Sequence, residues 1–340
     1  MTTNRRVLLQ QRPVGLPRQE DFAFIEAPVP EPATGQIVIR NVFISLDPAI
    51  RGWMDDRPSY FPPIALGDPV RATTVGRVAK SAHPDFKEGD WVVGLNAWED
   101  YSLAEAGGFT SVVDPSLVPS PSAYLSILGA VGMTAYFGLL DLGKPKAGET
   151  VLVSAAAGAV GSLVGQIAKI QGCRAVGIAG SDDKCAWVTG ELGFDAAFNY
   201  KGLDVPALAA RIAETCPDGV DVYFDNVGGD ILDAALININ DNARMIECGM
   251  ISVYNEVDPP PGPRHLWQLI VHTARMEGFL IRDYVPRFPE GIAQMADWLA
   301  AGKLTYREDM VEGLDNAVTA FLKLFHGTNV GKLVLKIAEA

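Results

Sequence analysis

A short apolar run that dissolves into small residues and then resumes at helical spacing constrains this chain more than any other stretch. Thr150-Val-Leu-Val-Ser-Ala-Ala-Ala-Gly-Ala-Val-Gly-Ser-Leu-Val-Gly-Gln-Ile-Ala-Lys169 reads as strand, tight turn and helix, with Leu163, Ile167 and Ile170 on one helical face. Ala156, Gly158 and Gly161 occupy the three small positions of a G-x-G-x-x-G turn, alanine taking the first. Small residues at these offsets close the turn, let a ligand approach the backbone and let the helix pack on its strand. The start of such a helix offers N–H groups and a partial positive charge, which suit a pyrophosphate. Alone, the pattern is equally that of a plain strand–helix junction, so its surroundings decide.

Downstream, strands and helices alternate. Strands are predicted at Thr150–Ser154, Arg174–Ala179, Ala196–Asn199, Val220–Asp225 and Arg244–Cys248, with helices at 159–171, 182–192, 204–215 and 229–239. This is the signature of an α/β, doubly wound parallel sheet, the Rossmann arrangement, with the glycine turn after its first strand. Ahead of it, Ser122–Leu140 reads as one helix. Further on, Leu266–Val271 reads as a helix, Glu277–Ile281 as a strand, and Pro289–Ala301 and Leu314–Phe325 as amphipathic helices before a last strand at Lys332–Ile337. The first third is β-rich, with strands at Val7–Gln10, Phe22–Glu26, Ile37–Ile44, Val70–Val78, Trp91–Gly94, Asp100–Ala104 and Thr110–Val113 between Pro/Gly turns. It suggests a compact, partly open barrel. The 340 residues fit two domains of about 100–200 residues each. We expect residues 1–121 to form a β-rich domain, 122–300 the nucleotide domain, and 301–340 to return to the first, leaving a cleft for a ligand.

Composition narrows the partners. With 28 Lys+Arg against 41 Asp+Glu the formal charge is −13, which disfavours nucleic acid and anionic membranes. After Arg5-Arg6 the apolar stretch Val7-Leu-Leu9 is too short for a signal core, and no apolar run reaches membrane-spanning length. Cys173, Cys185, Cys216 and Cys248 are widely spaced and read as reduced thiols of a cytoplasmic protein. The histidines His83, His265, His272 and His326 show no metal-ligand spacing, and no activated serine stands out.

The end of the second strand indicates which nucleotide is bound. NAD sites place Asp or Glu there; this chain has Gly180, Ser181 and then Lys184. Glycine leaves space, and serine and lysine donate to a 2′-phosphate, so the reading is NADPH. Ser181-Asp-Asp-Lys184 also reads as a helix cap, and Ser181 can do both.

With those residues in hand, the chain resembles the zinc-free medium-chain dehydrogenase/reductases, in the branch of leukotriene hydroxydehydrogenase/prostaglandin reductases, plant double-bond reductases and curcumin-reductase-type enzymes. The resemblance is carried by Ser45-Leu-Asp-Pro48, Gly132-Met-Thr-Ala-Tyr-Phe-Gly138, Ala156-Ala-Gly-Ala-Val-Gly-Ser162, Gly180-Ser-Asp-Asp-Lys184, Phe198-Asn-Tyr-Lys201, Tyr223-Phe-Asp-Asn-Val-Gly-Gly229, Cys248-Gly-Met-Ile-Ser252 and Asn329-Val-Gly-Lys332. It implies a GroES-like catalytic domain beside the Rossmann domain, NADPH as cofactor, a homodimer, and reduction of a C=C bond conjugated to a carbonyl. It assigns Gly158, Ala159, Val160, Gly161 and Ser162 to the pyrophosphate, and Lys184 and Tyr200, with Gly180 and Ser181, to the 2′-phosphate end. Asn226 is assigned along the cofactor, Cys248, Gly249, Ile251, Ser252 and Tyr254 to the nicotinamide ribose, Phe279, Leu280 and Ile281 beside the ring, and Asn329 to a polar contact. The zinc ligands of metal-dependent relatives are missing near Asp47 and at Gly67-Asp-Pro69, and Ala49 stands where many relatives carry tyrosine.

The expected chemistry is hydride transfer to the β-carbon of an enone or enal and protonation of the α-carbon. Charge then develops on the carbonyl oxygen, so a donor aimed there lowers the barrier. Tyr254 is the candidate donor, since phenols, with a reference pKa of about 10, keep their proton at neutral pH. Its other reading is packing or hydrogen bonding on the ribose. Trp98 likewise reads as a substrate-lining aromatic or as packing. A quinone reductase and a non-catalytic NADPH-binding protein remain as alternatives. Tyr60-Phe-Pro-Pro63 and Asp258-Pro-Pro-Pro-Gly262 read as stiff irregular loops.

Overall fold

A computed structural model describes residues 3–258 and 260–339; Pro259, in the second of those loops, lies outside the described residues. The chain forms two compact units, one from the residues up to Ser126 together with those from Glu308 onward, the other Ile127–Arg307.

In the first unit, β1 (Thr3–Leu9) and β2 (Phe22–Pro28) pair antiparallel, with Val7 opposite Phe24. Next come β3 (Gln36–Ser45), β4 (Arg71–Ser81), β5 (Trp91–Ala97), β6 (Tyr101–Glu105) and β7 (Ser111–Val112), the β-rich run expected from alternation. Between β3 and β4 lies a helix the sequence did not announce, α1 (Ala49–Trp53), too short to display a helical period. Long-range contacts hold it: the buried Arg51 donates to the carbonyls of Pro13 and Gly15 and pairs with Asp55. Ile50 and Trp53 enter a core that also holds Trp98, Phe321 and Leu335. Trp98 has no exposed surface, stacking on Phe22 at 5.8 Å and meeting Phe321 edge-on at 5.5 Å between ring centroids. Of its two readings, packing is the one realised in this structure.

The stretch leading into the second unit corrects one expectation. Instead of a single helix over Ser122–Leu140, the chain makes a tight 3₁₀ turn (Pro121–Leu125), breaks, forms α2 (Ala130–Phe137), and widens into a π-type turn (Gly138–Gly143). Ser126 leaves helical space at φ −124°, ψ −107°. The chain then folds back so closely that a Cβ on residue 132 would sit 1.8 Å from the Ile127 carbonyl oxygen, so only glycine fits. Hydrophobic periodicity is blind to such a break because the apolar residues continue through it.

From there the alternation holds: β8 (Thr150–Val153), α3 (Ala159–Ile170), β9 (Arg174–Ala179), α4 (Asp182–Gly190), β10 (Ala196–Asn199), α5 (Val205–Thr215), β11 (Val220–Asp225), α6 (Gly229–Ile237), β12 (Ile239–Glu247), α7 (Trp267–Val271), β13 (Arg275–Gly278) and α8 (Phe288–Ala300). The six strands are parallel, in the order β10-β9-β8-β11-β12-β13. All four residues of β8 are buried, which is why central strands read as unbroken apolar runs. Each fully buried Val or Leu contributes about 1.5–3 kcal/mol. Helices α5 and α6 close one face through Leu208, Ile212, Ile231 and Leu232.

The chain then returns to the first unit as β14 (Glu308–Glu312), α9 (Ala317–His326) and β15 (Lys332–Lys336), completing a sheet ordered β14-β15-β3-β4-β5-β7, with β6 also on β3. The buried Lys332 donates to the Leu46 carbonyl at 2.9 Å and to Asp47 at 2.8 Å, tying β15 to the segment before α1.

Candidate nucleotide site

Numbered within the second unit, its strands run 3-2-1-4-5-6, so the winding direction reverses between β8 and β11. In such sheets ligands bind outside the carboxyl ends at the reversal. The residues that leave those ends are therefore the candidates for ligand contact.

At the end of β8, Ala155 turns into the left-handed region at φ 48° and the Gly158 N–H donates to its carbonyl at 2.8 Å. A Cβ on Gly161 would fall 2.4 Å from that same carbonyl oxygen, so any side chain would force α3 off the turn. The first bond inside α3 runs from Ser162 N–H to Gly158 O at 3.0 Å. The N–H groups of Ala159, Val160 and Gly161 therefore have no acceptor within the helix and open at its start, where an anion is favoured. Ser162 is buried, and its hydroxyl donates back to Ala159 O at 3.3 Å, so of this residue it is the backbone that fits the site.

At the end of β9, the Ser181 hydroxyl accepts the Lys184 N–H at 3.3 Å and caps α4, so the cap reading is realised. That bond uses Ser181 as an acceptor, and its hydroxyl proton remains a donor toward phosphate. A Cβ on Gly180 would lie 3.4 Å from the Tyr200 ring and 3.6 Å from Lys201 Cε. Lys201 is thus brought beside Gly180 and was missed in the sequence. Its only signal was its place in Phe198-Asn-Tyr-Lys201, because the neighbourhood depends on β9 and β10 being adjacent. Asn199 Nδ2 bridges to Asp182 at 3.1 Å and fastens the two turns together.

At the end of β11, the fully buried Asp225 accepts from Ser154 Oγ, Tyr223 OH and Val227 N–H, each at 2.8 Å, and from Gly228 N–H at 3.0 Å. Its carbonyl receives Cys248 N–H at 2.9 Å and Gly249 N–H at 3.1 Å. Asn226 donates from its backbone to Ser154 Oγ and from Nδ2 to Ser154 O, both at 2.8 Å, which fixes its amide across the reversal point.

Past β12, the segment 248–254 is laid along the Asn226 turn by Ile251 N–H to Asn226 O at 3.3 Å and Ser252 N–H to Val227 O at 3.1 Å. The Tyr254 hydroxyl accepts the Met250 N–H at 3.1 Å, and a Cβ on Gly249 would be 3.1 Å from that oxygen. Burial, with Asp225 and Glu247 nearby, pushes the Cys248 thiol up to about 12, so it is neutral and no nucleophile at pH 7. After β13, the Phe279 ring packs on Phe224 and Tyr284, and Leu280 and Ile281 begin the next turn. Asn329 belongs to the first unit, with Nδ2 donating to Gly331 O at 3.2 Å. Asp225 and Glu247 are the other functional candidates that sequence reading passed over, because their pairing is a matter of register. Among the described residues no cluster of three or more His, Cys, Asp or Glu could hold a metal ion.

The arrangement fits a dinucleotide phosphate: N–H groups for a pyrophosphate, a side-chain-free position beside two lysine-bearing turns for a further phosphate, and a backbone path for the rest. Comparison with known proteins agrees. Residues 5–112 match the family described as N-terminal domain of oxidoreductase, and residues 159–301 the family described as zinc-binding dehydrogenase. The chain is 44% identical to the NADPH-dependent curcumin reductase of Escherichia coli (strain K12), covering 98% of this chain and 97% of that one. It is 41% identical to the NADP(+)-dependent 2-alkenal reductase of Nicotiana tabacum, covering 99% and 98%. The crystal structure of CurA from Vibrio vulnificus in complex with NADPH superposes with a TM-score of 0.92 at 42% identity, covering 99% and 100%.

Proposed function

The chain belongs to the medium-chain dehydrogenase/reductases, in the branch of the NADP-dependent curcumin, prostaglandin and alkenal reductases, and from that premise we propose that it reduces the C=C bond of α,β-unsaturated ketones and aldehydes with NADPH. Its architecture is that of the superfamily, a GroES-like domain and a Rossmann domain. Full-length identity to enzymes of this chemistry, joined to the phosphate-shaped edge at Gly158–Gly161 and Gly180, is the observation that carries the reading.

When bound, NADPH supplies the hydride for the β-carbon of the substrate. Ala159, Val160 and Gly161 hold the pyrophosphate through their N–H groups, with Gly158 closing the turn, Ser162 contributing backbone and Asn226 lying along the dinucleotide. Gly180 makes room for the 2′-phosphate, with Ser181, Lys184, Tyr200 and now Lys201 around it; one charge-assisted bond there is worth about 1.5–3 kcal/mol. Cys248, Gly249, Ile251 and Ser252 line the path to the reacting end through backbone fixed on Asp225, Asn226 and Val227. Phe279, Leu280 and Ile281 border it. Tyr254 donates to the substrate carbonyl oxygen as charge builds there, and the α-carbon takes its proton from solvent. The Met250 N–H on the phenol oxygen supports that role, since it stabilises the oxygen as its proton is shared outward.

We further propose a homodimer formed through β13. That strand ends the sheet, and an exposed edge invites pairing. Beside it α7 leaves Trp267 and Ile270 each 67% exposed. An antiparallel pair centred on Met276 sets Arg275 of one copy opposite Glu277 of the other, twice over. The enzyme is expected in the cytoplasm, consistent with its free cysteines; no helix among the described residues is long and apolar enough to cross a membrane.

Substrate class is tested by following NADPH consumption with 4-hydroxynonenal, 3-nonen-2-one and a benzoquinone. Turnover of the first two, well above the quinone, is expected. Turnover of the quinone alone makes the chain a quinone reductase, and binding of NADPH without turnover of any makes it a non-catalytic binder.

A further inference from the structure

The carboxyl edge of the second unit's sheet carries an acid that the reaction above does not use. Asp225 and Glu247 are register partners on β11 and β12, so their side chains leave the sheet on the same face, from backbones about 4.7–4.9 Å apart. Asp225 spends Oδ1 on four donors, while Oδ2 receives only Gly228 N–H at 3.1 Å. Glu247 Oε1 is buried and receives no hydrogen bond from any described residue, a rarity that needs a cause. In β13 its register partner is Gly278, which brings no side chain. Beside burial, the charge that raises Glu247 is that of Asp225; Tyr223 and Cys248 are titratable groups that feel Glu247, both held neutral. Burial and Asp225 together push the Glu247 carboxyl up to about 8. Two carboxyl groups on register partners, one of them fully buried, oppose each other's ionisation. The four donors on Asp225 make it the anion, and the proton stays on Glu247.

We propose that Glu247 is a positioning residue for the nucleotide site: as the neutral acid it leaves Asp225 the single negative charge that holds the Asn226–Gly228 turn, and as the carboxylate it loosens that hold and weakens NADPH binding. Asp225 is the common anchor of both turns at this edge, fixing Val227 and Gly228 through its carboxylate and Cys248 and Gly249 through its carbonyl. A second negative charge beside it weakens its donors' attachment and repels an incoming polyanion as well. The sign follows from the acid's raised value: binding is strongest below about 8 and falls as pH rises through it. The inference rests on reading this edge as the NADPH site.

The test is the dissociation constant of NADPH, read from its fluorescence, at pH 7.0 and 9.5 for the wild type, Glu247→Gln and Glu247→Met. Wild-type Kd is expected to rise about tenfold across that range, and both variants to change by less than about twofold, because neither side chain ionises. Either variant suffices if the other does not fold. The same rise in the variants as in the wild type, or no rise in the wild type, overturns the proposal. Failure of the wild type to bind NADPH at pH 7.0 overturns instead the reading of the site on which it stands.

Discussion

The Tyr254 hydroxyl accepts the Met250 N–H at 3.1 Å and lies against Gly249, where a side chain would crowd it. A donor at a developing oxyanion is worth about 10²–10³ in rate. Tyr254→Phe is therefore expected to lower kcat by about a hundredfold with little change in the KM for NADPH; wild-type kcat in that variant would leave Tyr254 only its packing role. At the other end of the nucleotide, Lys201→Ala should raise the KM for NADPH about tenfold, one charge-assisted bond, and leave that for NADH flat. A parallel rise for both cofactors would move the 2′-phosphate elsewhere. Gly180, Ser181 and Lys184 could be proposed from the sequence because they lie within one β–α turn. Lys201, Asp225 and Glu247 were not, since what each does is set by a neighbouring strand.

At the level of elements, the order of alternating strands and helices in the second unit could be read from the sequence, because buried parallel strands announce themselves as apolar runs; β12 begins five residues earlier than expected, at Ile239, and β13 runs Arg275–Gly278 where Glu277–Ile281 was expected. Two features escaped. The break at Ser126–Gly129 sits inside an apolar stretch that a helix would equally explain, and it is set by a carbonyl packed against Gly132. α1 is held by Arg51 through carbonyls 36 and 38 residues away. Trp98, whose packing was one of its two sequence readings, belongs to a core assembled from both ends of the chain, with Phe22 on one side and Phe321 on the other. The β13 edge carries its own prediction. Sedimentation of the wild type should show a dimer, and Glu277→Arg, which sets like charges opposite each other, should weaken it roughly tenfold; adding Arg275→Glu should restore it. A wild type that sediments as a monomer at every concentration would remove the dimer.

The whole molecule joins an acidic surface to a locally anion-seeking edge. A formal charge of −13 gives no general attraction for polyanions, so the proposed hold on NADPH rests on specific donors at the ends of β8 and β9 and on the geometry of the reversal point. The central claim is that the hydride goes to carbon, at the β-position of a conjugated carbonyl. The most direct measurement is turnover of 3-nonen-2-one with NADPH deuterated at the transferred position of C4, followed by NMR of the product. The expected product is the saturated ketone, with deuterium on the β-carbon and a solvent hydrogen on the α-carbon. Deuterium on the carbonyl carbon of an unsaturated alcohol would contradict it.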